Sequence, residues 1–166
     1  MTVNVVKKDG KSWLLLDTCC KRGVIALWRH GQVLHEVSLL NHKRFGEELP
    51  VAVDACLQHA GIGSTDLSGI GVGQGPGSFM GVRIGLAHAK GMAYALGIGF
   101  VGIPLATALQ ADPSSTADVG PSALGLGRAL DAFLKSNGQP ALEAVHAIEP
   151  LYARKPDARV PAANAL

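Results

Sequence analysis

The sequence predicts an α/β domain built on a mixed sheet whose first three strands are antiparallel. Short apolar runs lie near the start of the chain with turn residues between them, which is typical of strands and hairpins. Two longer segments, residues 47–60 and 82–96, repeat apolar residues at the spacing of a helix face. An apolar run follows each helical segment, so the two helices are expected to cross over between further strands.

The strands follow from apolar runs bounded by turn residues. The predicted strands are residues 12–16, 24–28, 33–39, 69–73 and 100–103. The first ends at Asp17-Thr18, and Pro104 closes the last. The tripeptide His30-Gly31-Gln32 indicates a hairpin turn between the second and third strands.

Each helical segment presents one face that is apolar and another made of small or polar residues. Leu49, Val53 and Cys56 share a face of the first helix. The apolar face of the second helix consists of Val82, Leu86, Ala89, Ala93 and Leu96. Ala87, Gly91 and Ala95 recur every four residues on this helix. Such small residues let another helix approach closely, and packing on the helix's own sheet is the alternative.

The periodicity weakens beyond residue 105, and the chain is predicted to divide near that point. Residues 12–110 form the main lobe, and residues 111–121, rich in Asp, Pro, Ser and Thr, form a linker. Residues 122–157 are a C-terminal helix, over 122–136, and a tail. Residues 1–11 and 158–166 are expected to be flexible.

The composition is that of a globular protein in a reducing compartment. Of 166 residues, 48% are hydrophobic and 17% charged, and the net charge of +2 does not indicate a nucleic-acid binder. Three cysteines and six histidines show no metal-binding spacing, so no metal site is expected. Residues 91–111 carry no charge, but glycines and Pro104 interrupt them, so a membrane span is not predicted. We expect a cytoplasmic protein.

A glycine-rich turn over residues 75–81 is the main candidate for chemistry. It does not fit the dinucleotide fingerprint, the Walker motif or the nucleophile elbow. A nucleotide site at this turn would use Gly75, Gly77 and Ser78, with Ser78 also capping the second helix. The alternative is a tight turn that lets strand and helix pack closely. No catalytic constellation accompanies Ser78, so no catalytic residue is assigned.

Two segments carry a resemblance to a known family. Residues 75–86, followed by Ala89-Lys90-Gly91 and Ala95-Leu96-Gly97-Ile98, resemble the signature of the TsaB (YeaZ) family. Met80 departs from it, because the family usually has Thr there. Residues 148–157 resemble that family's C-terminal Glu-Pro-x-Tyr-x-Arg segment. The resemblance covers about residues 12–110 and 121–157 and leaves no room for the second lobe of that family.

The resemblance implies both a fold and a role. The fold is one lobe of the actin, sugar kinase and heat-shock ATPase superfamily, which is similar to ribonuclease H. The role is that of a non-catalytic subunit in the threonylcarbamoyladenosine modification of tRNA, without a cofactor. Its partner would be a TsaD-like catalytic subunit, with a TsaE-like ATPase as a further candidate, tRNA contacted only indirectly, and a homodimer formed when the chain is alone.

The resemblance also implies that the helices over 47–60 and 82–96 form the dimer contact. The expected interface residues are Leu49, Val53, Cys56, Ile84, Ala87, His88, Gly91 and Ala95. Two alternatives stay open. One is a small nucleotide-binding enzyme that uses the glycine-rich turn together with Asp17 and Thr18, which occupy the place where kinases of that superfamily hold a phosphate loop. The other is a self-associating homologue without a tRNA role.

Overall fold

A five-stranded mixed sheet forms the centre of the computed structural model, which describes residues 12–141 and 147–152. The strands are β1 (Ser12–Asp17), β2 (Gly23–Arg29), β3 (Gln32–Leu39), β4 (Leu67–Gly73) and β5 (Gly99–Ile103). Their order is β3-β2-β1-β4-β5. The β1–β2 and β2–β3 pairs are antiparallel, whereas β1–β4 and β4–β5 are parallel. All five strands were predicted within two residues of these bounds.

Helices cover both faces of this sheet. They are α1 (Phe45–Ala60), α2 (Phe79–Leu96), α3 (Leu105–Ala111) and α4 (Ala123–Asn137). Leu14 and Leu16 of β1 pack with α1 and α2 on one face, whereas Trp13 and Leu15 pack with α3 and α4 on the other. Alternate residues of a strand point to opposite faces, so this two-sided cover explains why every residue of β1 is buried.

Two helices begin earlier than the periodicity predicts. Helix α1 begins at Phe45, so Pro50 lies in its second turn and not in its first. Helix α2 begins at Phe79, directly after Ser78, whose Oγ accepts a hydrogen bond from the Gly81 amide as an N-cap. Helix α3 was not predicted, because seven residues are too few to establish a helical period.

The segment predicted as a linker packs against the turn between β1 and β2. The Asp112 carboxylate accepts hydrogen bonds from the Ser114 amide and hydroxyl and from the Ser122 hydroxyl, which anchors the loop to the start of α4. Farther along, the Arg22 amide donates to the Val119 carbonyl, and Lys21 Nζ lies 2.7 Å from Asp118 Oδ1. Residues 112–122 are therefore held against the turn between β1 and β2 by a hydrogen bond and an ion pair.

Some sequence predictions fall outside the described residues. They are the flexible ends, residues 1–11 and 158–166, and the part of the C-terminal tail over 142–146 and 153–157. Among the described helices, none is both long and apolar enough to cross a membrane.

Helix α4 is held on the sheet by a close contact with Trp28. A Cβ added at Gly127 would overlap the Trp28 ring, so the helix backbone lies directly on the indole. Trp28 Nε1 donates a hydrogen bond of 2.9 Å to Asp131 Oδ1, one turn farther along α4. The predicted C-terminal helix is thus part of the same core as the main lobe.

The contact at Gly127 predicts the effect of a single methyl group. Gly127→Ala should lower the free energy of unfolding by about 1–3 kcal/mol, because the methyl group overpacks against Trp28. Gly46→Ala in α1 is the control, since its Cβ would meet Ile84 at an ordinary 3.8 Å, and it should stabilise by up to about 1 kcal/mol. Urea denaturation of both variants measures the difference, and equal stabilities would refute the packing argument.

Candidate functional site

The five residues predicted for a nucleotide site meet at one edge of the sheet. Asp17 ends β1, and the glycine-rich turn follows β4, so both lie at the carboxyl ends of parallel neighbours. Open α/β sheets bind ligands at this edge, where the strand order reverses. Thr18 Oγ1 donates a 2.6 Å hydrogen bond to the Gly81 carbonyl, and the Ser78 amide donates to the Cys19 carbonyl at 2.7 Å.

The glycines of this turn approach the protein's own main chain. A Cβ at Gly77 would overlap the Cys19 carbonyl oxygen, and one at Gly81 would overlap the Thr18 carbonyl oxygen. At Gly75, where φ is +96°, a Cβ would overlap the carbonyl oxygen of Leu151. The space that a phosphate would need on these sides of the turn is filled by backbone atoms.

Asp17 is a buried carboxyl group in a poorly solvated position. It is 1% exposed, and its Oδ1 accepts a 3.0 Å hydrogen bond from the Cys19 amide. Its Oδ2 is buried without a hydrogen-bond partner among the described residues. Burial disfavours the ionised form and raises the pKa of Asp17 from 3.8 to about 6. Asp17 is therefore partly protonated in mildly acidic solution.

A cavity of about 610 Å³ opens beside the turn. Of the five predicted residues, Gly77 and Ser78 line it, together with Lys21, His42, Asp118 and other residues. Cys19 and Cys20 also line this cavity, although the Cys19 thiol is buried and donates to the Gly73 carbonyl at 3.4 Å. Burial, followed by the Asp17 charge, raises the pKa of Cys20 to about 11 and raises that of Cys19 as well. Both thiols are protonated at neutral pH, which makes them poor nucleophiles.

The outer face of α2 is exposed and carries mainly small residues, with the exposed Arg83 one turn before Ala87. Ala87, Gly91 and Ala95, predicted as interface residues, are exposed, and a Cβ at Gly91 would have no atom within 4 Å. Ile84 and His88 are half-buried beside them. Sequence reasoning missed two more residues of this face, Met80 and Tyr94, which are 61% and 68% exposed. The sequence could have indicated them, because Met80 lies seven residues before Ala87 and Tyr94 three residues after Gly91, which places them on the same side of a helix.

Three expected interface residues of α1 face the core instead. Leu49, Val53 and Cys56 are buried against the sheet, so their side chains are not available to a partner, and that part of the prediction is wrong. The reason is that their apolar period marks the side of the helix that packs on the sheet. The exposed side of α1 carries Val51, which is 70% exposed, and the acidic residues Glu47 and Asp54.

The C-terminal segment reaches the same edge, which the sequence did not predict. Tyr152 packs on Phe79 with ring centroids 5.0 Å apart, and the Arg83 guanidinium lies 5.0 Å from the Phe79 centroid. Leu151 N donates to the Gln74 carbonyl at 2.7 Å. Residues 148–152 belonged to a recognised motif, but nothing in the sequence indicated where they dock. No group of three metal-ligating side chains occurs in the part of the chain described here.

The raised pKa of Asp17 predicts that the free energy of unfolding depends on pH. The stabilisation from its protonated form is present below pH 3.8 and is lost as the pH rises through about 6. Between pH 4.5 and 7, the free energy of unfolding of the unmodified chain should therefore fall by about 2 kcal/mol relative to Asp17→Asn.

Urea denaturation across this pH range measures the difference, with Asp112→Asn as the control. Hydrogen bonds from Ser122 and Ser114 lower the pKa of Asp112, so its stabilisation is lost only in more acidic solution. The difference in the free energy of unfolding between the unmodified chain and Asp112→Asn should stay nearly constant from pH 4.5 to 7. Parallel stability curves for the unmodified chain and Asp17→Asn would contradict the raised pKa.

Comparison with known proteins places the chain in a family. Residues 33–127, more than half of the chain, match the model described as TsaD, tRNA N6-adenosine threonylcarbamoyltransferase. The tRNA threonylcarbamoyladenosine biosynthesis protein TsaB of Escherichia coli (strain K12) is 34% identical over 90 residues, which are 54% of this chain and 38% of that protein. The tRNA N6-adenosine threonylcarbamoyltransferase of Geotalea uraniireducens is 32% identical over 102 residues, 61% of this chain and 28% of that protein. The chain thus spans well under half the length of these relatives.

A comparison with solved structures supports the predicted fold. YeaZ from Pseudomonas aeruginosa superposes with a TM-score of 0.72 at 17% identity, over 86% of this chain and 99% of that chain. This likeness confirms the predicted α/β lobe. The chain therefore belongs to the TsaD family of that model, with the TsaB (YeaZ) proteins among its homologues.

Proposed function

We propose that the chain is a non-catalytic subunit that supports the threonylcarbamoyladenosine modification of tRNA by pairing with a TsaD-like catalytic subunit. The observation that carries the proposal is the exposed face of α2, where a Cβ added at Gly91 would have no neighbour within 4 Å. The relatives with assigned roles are much longer than this chain, so the role rests on this surface and on the family.

The α2 face has the properties of a helix-packing surface. Ala87, Gly91 and Ala95 form a ridge of small residues, which Met80 extends toward the start of the helix and Tyr94 flanks near its end. Small residues in one ridge allow close approach of a partner helix. Exposed apolar residues of this kind on a helix face are a common mark of an interaction site.

The charges of α1 and α2 are complementary, which supports a dimer in which α1 of one copy faces α2 of the other. Helix α2 contains no acidic residue and exposes Arg83, whereas α1 exposes Glu47 and Asp54. A second copy, rotated to place α2 against α1, would bring opposite charges together on both sides of a two-fold axis. We therefore expect the chain to form a homodimer when its catalytic partner is absent.

The carboxyl edge of the sheet supports a non-catalytic role. The thiols beside the cavity have raised pKa values, and Gly75 and Gly77 approach main-chain carbonyls where a phosphate would sit. In this proposal the catalytic subunit performs the transfer and contacts the tRNA, and a TsaE-like ATPase is a further partner. The complex would act in the cytoplasm.

Gly91→Leu tests the α2 face. The larger side chain should weaken homodimerisation and co-purification with a TsaD-like protein about tenfold or more, because overpacking a contact costs about 1–3 kcal/mol. Circular dichroism should show an unchanged fold, since the site is open in the monomer. Ser136→Leu on the exposed side of α4 is the matched control. It should change neither homodimerisation nor co-purification with a TsaD-like protein. Sedimentation velocity gives the masses, and a Gly91→Leu dimer of unchanged affinity would place the contact elsewhere.

The cavity of about 610 Å³ favours one alternative, a small nucleotide-binding enzyme that uses Asp17 and the glycine-rich turn. Our proposal predicts no saturable heat when Mg-ATP is titrated to millimolar concentration in a calorimeter. Micromolar binding that disappears in Asp17→Ala would favour the alternative. A chain that forms dimers but never co-purifies with a TsaD-like protein would instead be a self-associating homologue without the tRNA role.

A further inference from the structure

Residues 148–152, here called the C-terminal strap, pair with the main chain of the glycine-rich turn. The Leu151 amide donates a 2.7 Å hydrogen bond to the Gln74 carbonyl, and Tyr152 forms a parallel bridge with Gly77. The strap thus adds a short strand beside the turn that connects β4 to α2.

The turn is shaped to admit this strand. Gly75 has a φ of +96°, and any Cβ there would overlap the Leu151 carbonyl oxygen. On β5, a Cβ at Gly102 would overlap the Gln74 side chain and would also lie 2.7 Å from the Ile148 side chain. Glycine at these two positions therefore leaves space for the strap to lie against the sheet.

The strap also contacts the first turn of α2 through its side chains. The Tyr152 ring packs on Phe79, the first residue of α2, and Arg83 lies over the same Phe79 ring. Met80, at the end of the exposed α2 face, is the next residue along the helix. The strap and this end of the α2 face share one aromatic contact.

We propose that the strap is a detachable strand whose docking orders the first turn of α2, and that it thereby regulates the Met80 end of the partner-binding face. Among the described residues, the Leu151–Gln74 hydrogen bond and the Tyr152–Gly77 bridge join the strap to the main chain of the turn, and Leu151 is 41% exposed, so we expect its opening to cost less free energy than global unfolding. When the strap opens, Phe79 loses Tyr152, and the residues that follow Phe79 lose one of the side chains that fix them.

Linkage makes this coupling reciprocal. A partner that binds the ordered first turn of α2 more tightly than the loose one shifts the strap toward its docked state. This second statement rests on the proposed function, whereas the coupling between the strap and the first turn of α2 stands without it.

Hydrogen exchange of the whole chain tests the coupling directly. Tyr152→Ala should reduce protection of the Leu151 amide about tenfold or more. It should also reduce protection of the Val82 amide, which donates to the Ser78 carbonyl in the first turn of α2. The amides of β1, the central strand, report global stability and should keep their protection. Leu151→Ala, which removes an exposed side chain from the same strap, is the control and should have little effect.

A second pair of variants separates strap release from backbone strain. Gly75→Ala and Gly31→Ala both place a side chain at positive φ, but only the former also meets the Leu151 carbonyl, since Gly31 has open space. Gly75→Ala should reduce protection of the Leu151 amide, and Gly31→Ala should not. Because a Cβ at Gly75 would also lie 3.3 Å from Val82 Cγ2, loss of protection at Val82 supports the coupling only in Tyr152→Ala. The coupling is refuted if Leu151 loses protection in either strap variant while Val82 keeps it, or if Leu151 is unprotected in the unmodified chain.

Sedimentation distinguishes this inference from the proposed function. If Gly91→Leu leaves self-association unchanged, the proposed face is wrong, and the exchange result still decides the coupling. If Gly91→Leu separates the dimer but Tyr152→Ala has unchanged dimer affinity, the face is correct and its regulation by the strap is refuted. Weakened association in both variants, with the expected exchange pattern, supports both statements.

Discussion

The close approach of α2 to the end of β1 determines the geometry of the whole carboxyl edge. Gly81 and Gly85 of α2 make the contact, while Gly77 of the turn and Gly73 of β4 pack against the same segment, residues 17–19. A Cβ at each would overlap or crowd an atom of Asp17, Thr18 or Cys19. Because no side chain separates the helix from the strand, the rotation of α2 about its axis is fixed. That rotation buries Val82 and Leu86 and leaves the Gly91 side exposed.

This constraint changes the interpretation of the glycine-rich turn. The sequence left two explanations open, a phosphate cradle and a tight turn for packing. Gly77 and Gly81 lie against carbonyl oxygens of the chain itself, which is what the packing explanation requires. The Asp17 carboxyl group is crowded by a different glycine, Gly73 of the neighbouring strand β4, and its burial raises its pKa to about 6. The buried carboxyl group and the filled turn thus both follow from glycines packed against residues 17–19.

Most of the fold was predictable because it depends on local periodicity. The five strands and three of the four helices repeat apolar residues at the intervals of their secondary structure. Helix α3 was too short to show a helical period, and the loop over 112–122 could not be predicted, since its order comes from the hydrogen bond of Ser122 to Asp112 and from the contact of Val119 with Arg22. Such contacts join residues far apart in sequence and leave no periodic signal. The docking of residues 148–152 was missed for the same reason.

The candidate surface was only half predictable, for a related physical reason. An apolar period reports that one face of a helix avoids water, but a hydrophobic core and a protein interface both satisfy it. On α1 the period of Leu49 and Val53 marked the core, so those interface assignments were wrong. On α2, Val82 and Leu86 form the face that packs on the sheet. The ridge at Gly91 lies on another side of the helix and is therefore exposed. A second apolar or small-residue stripe on a helix that already has a core face is therefore the more useful indicator of a partner surface.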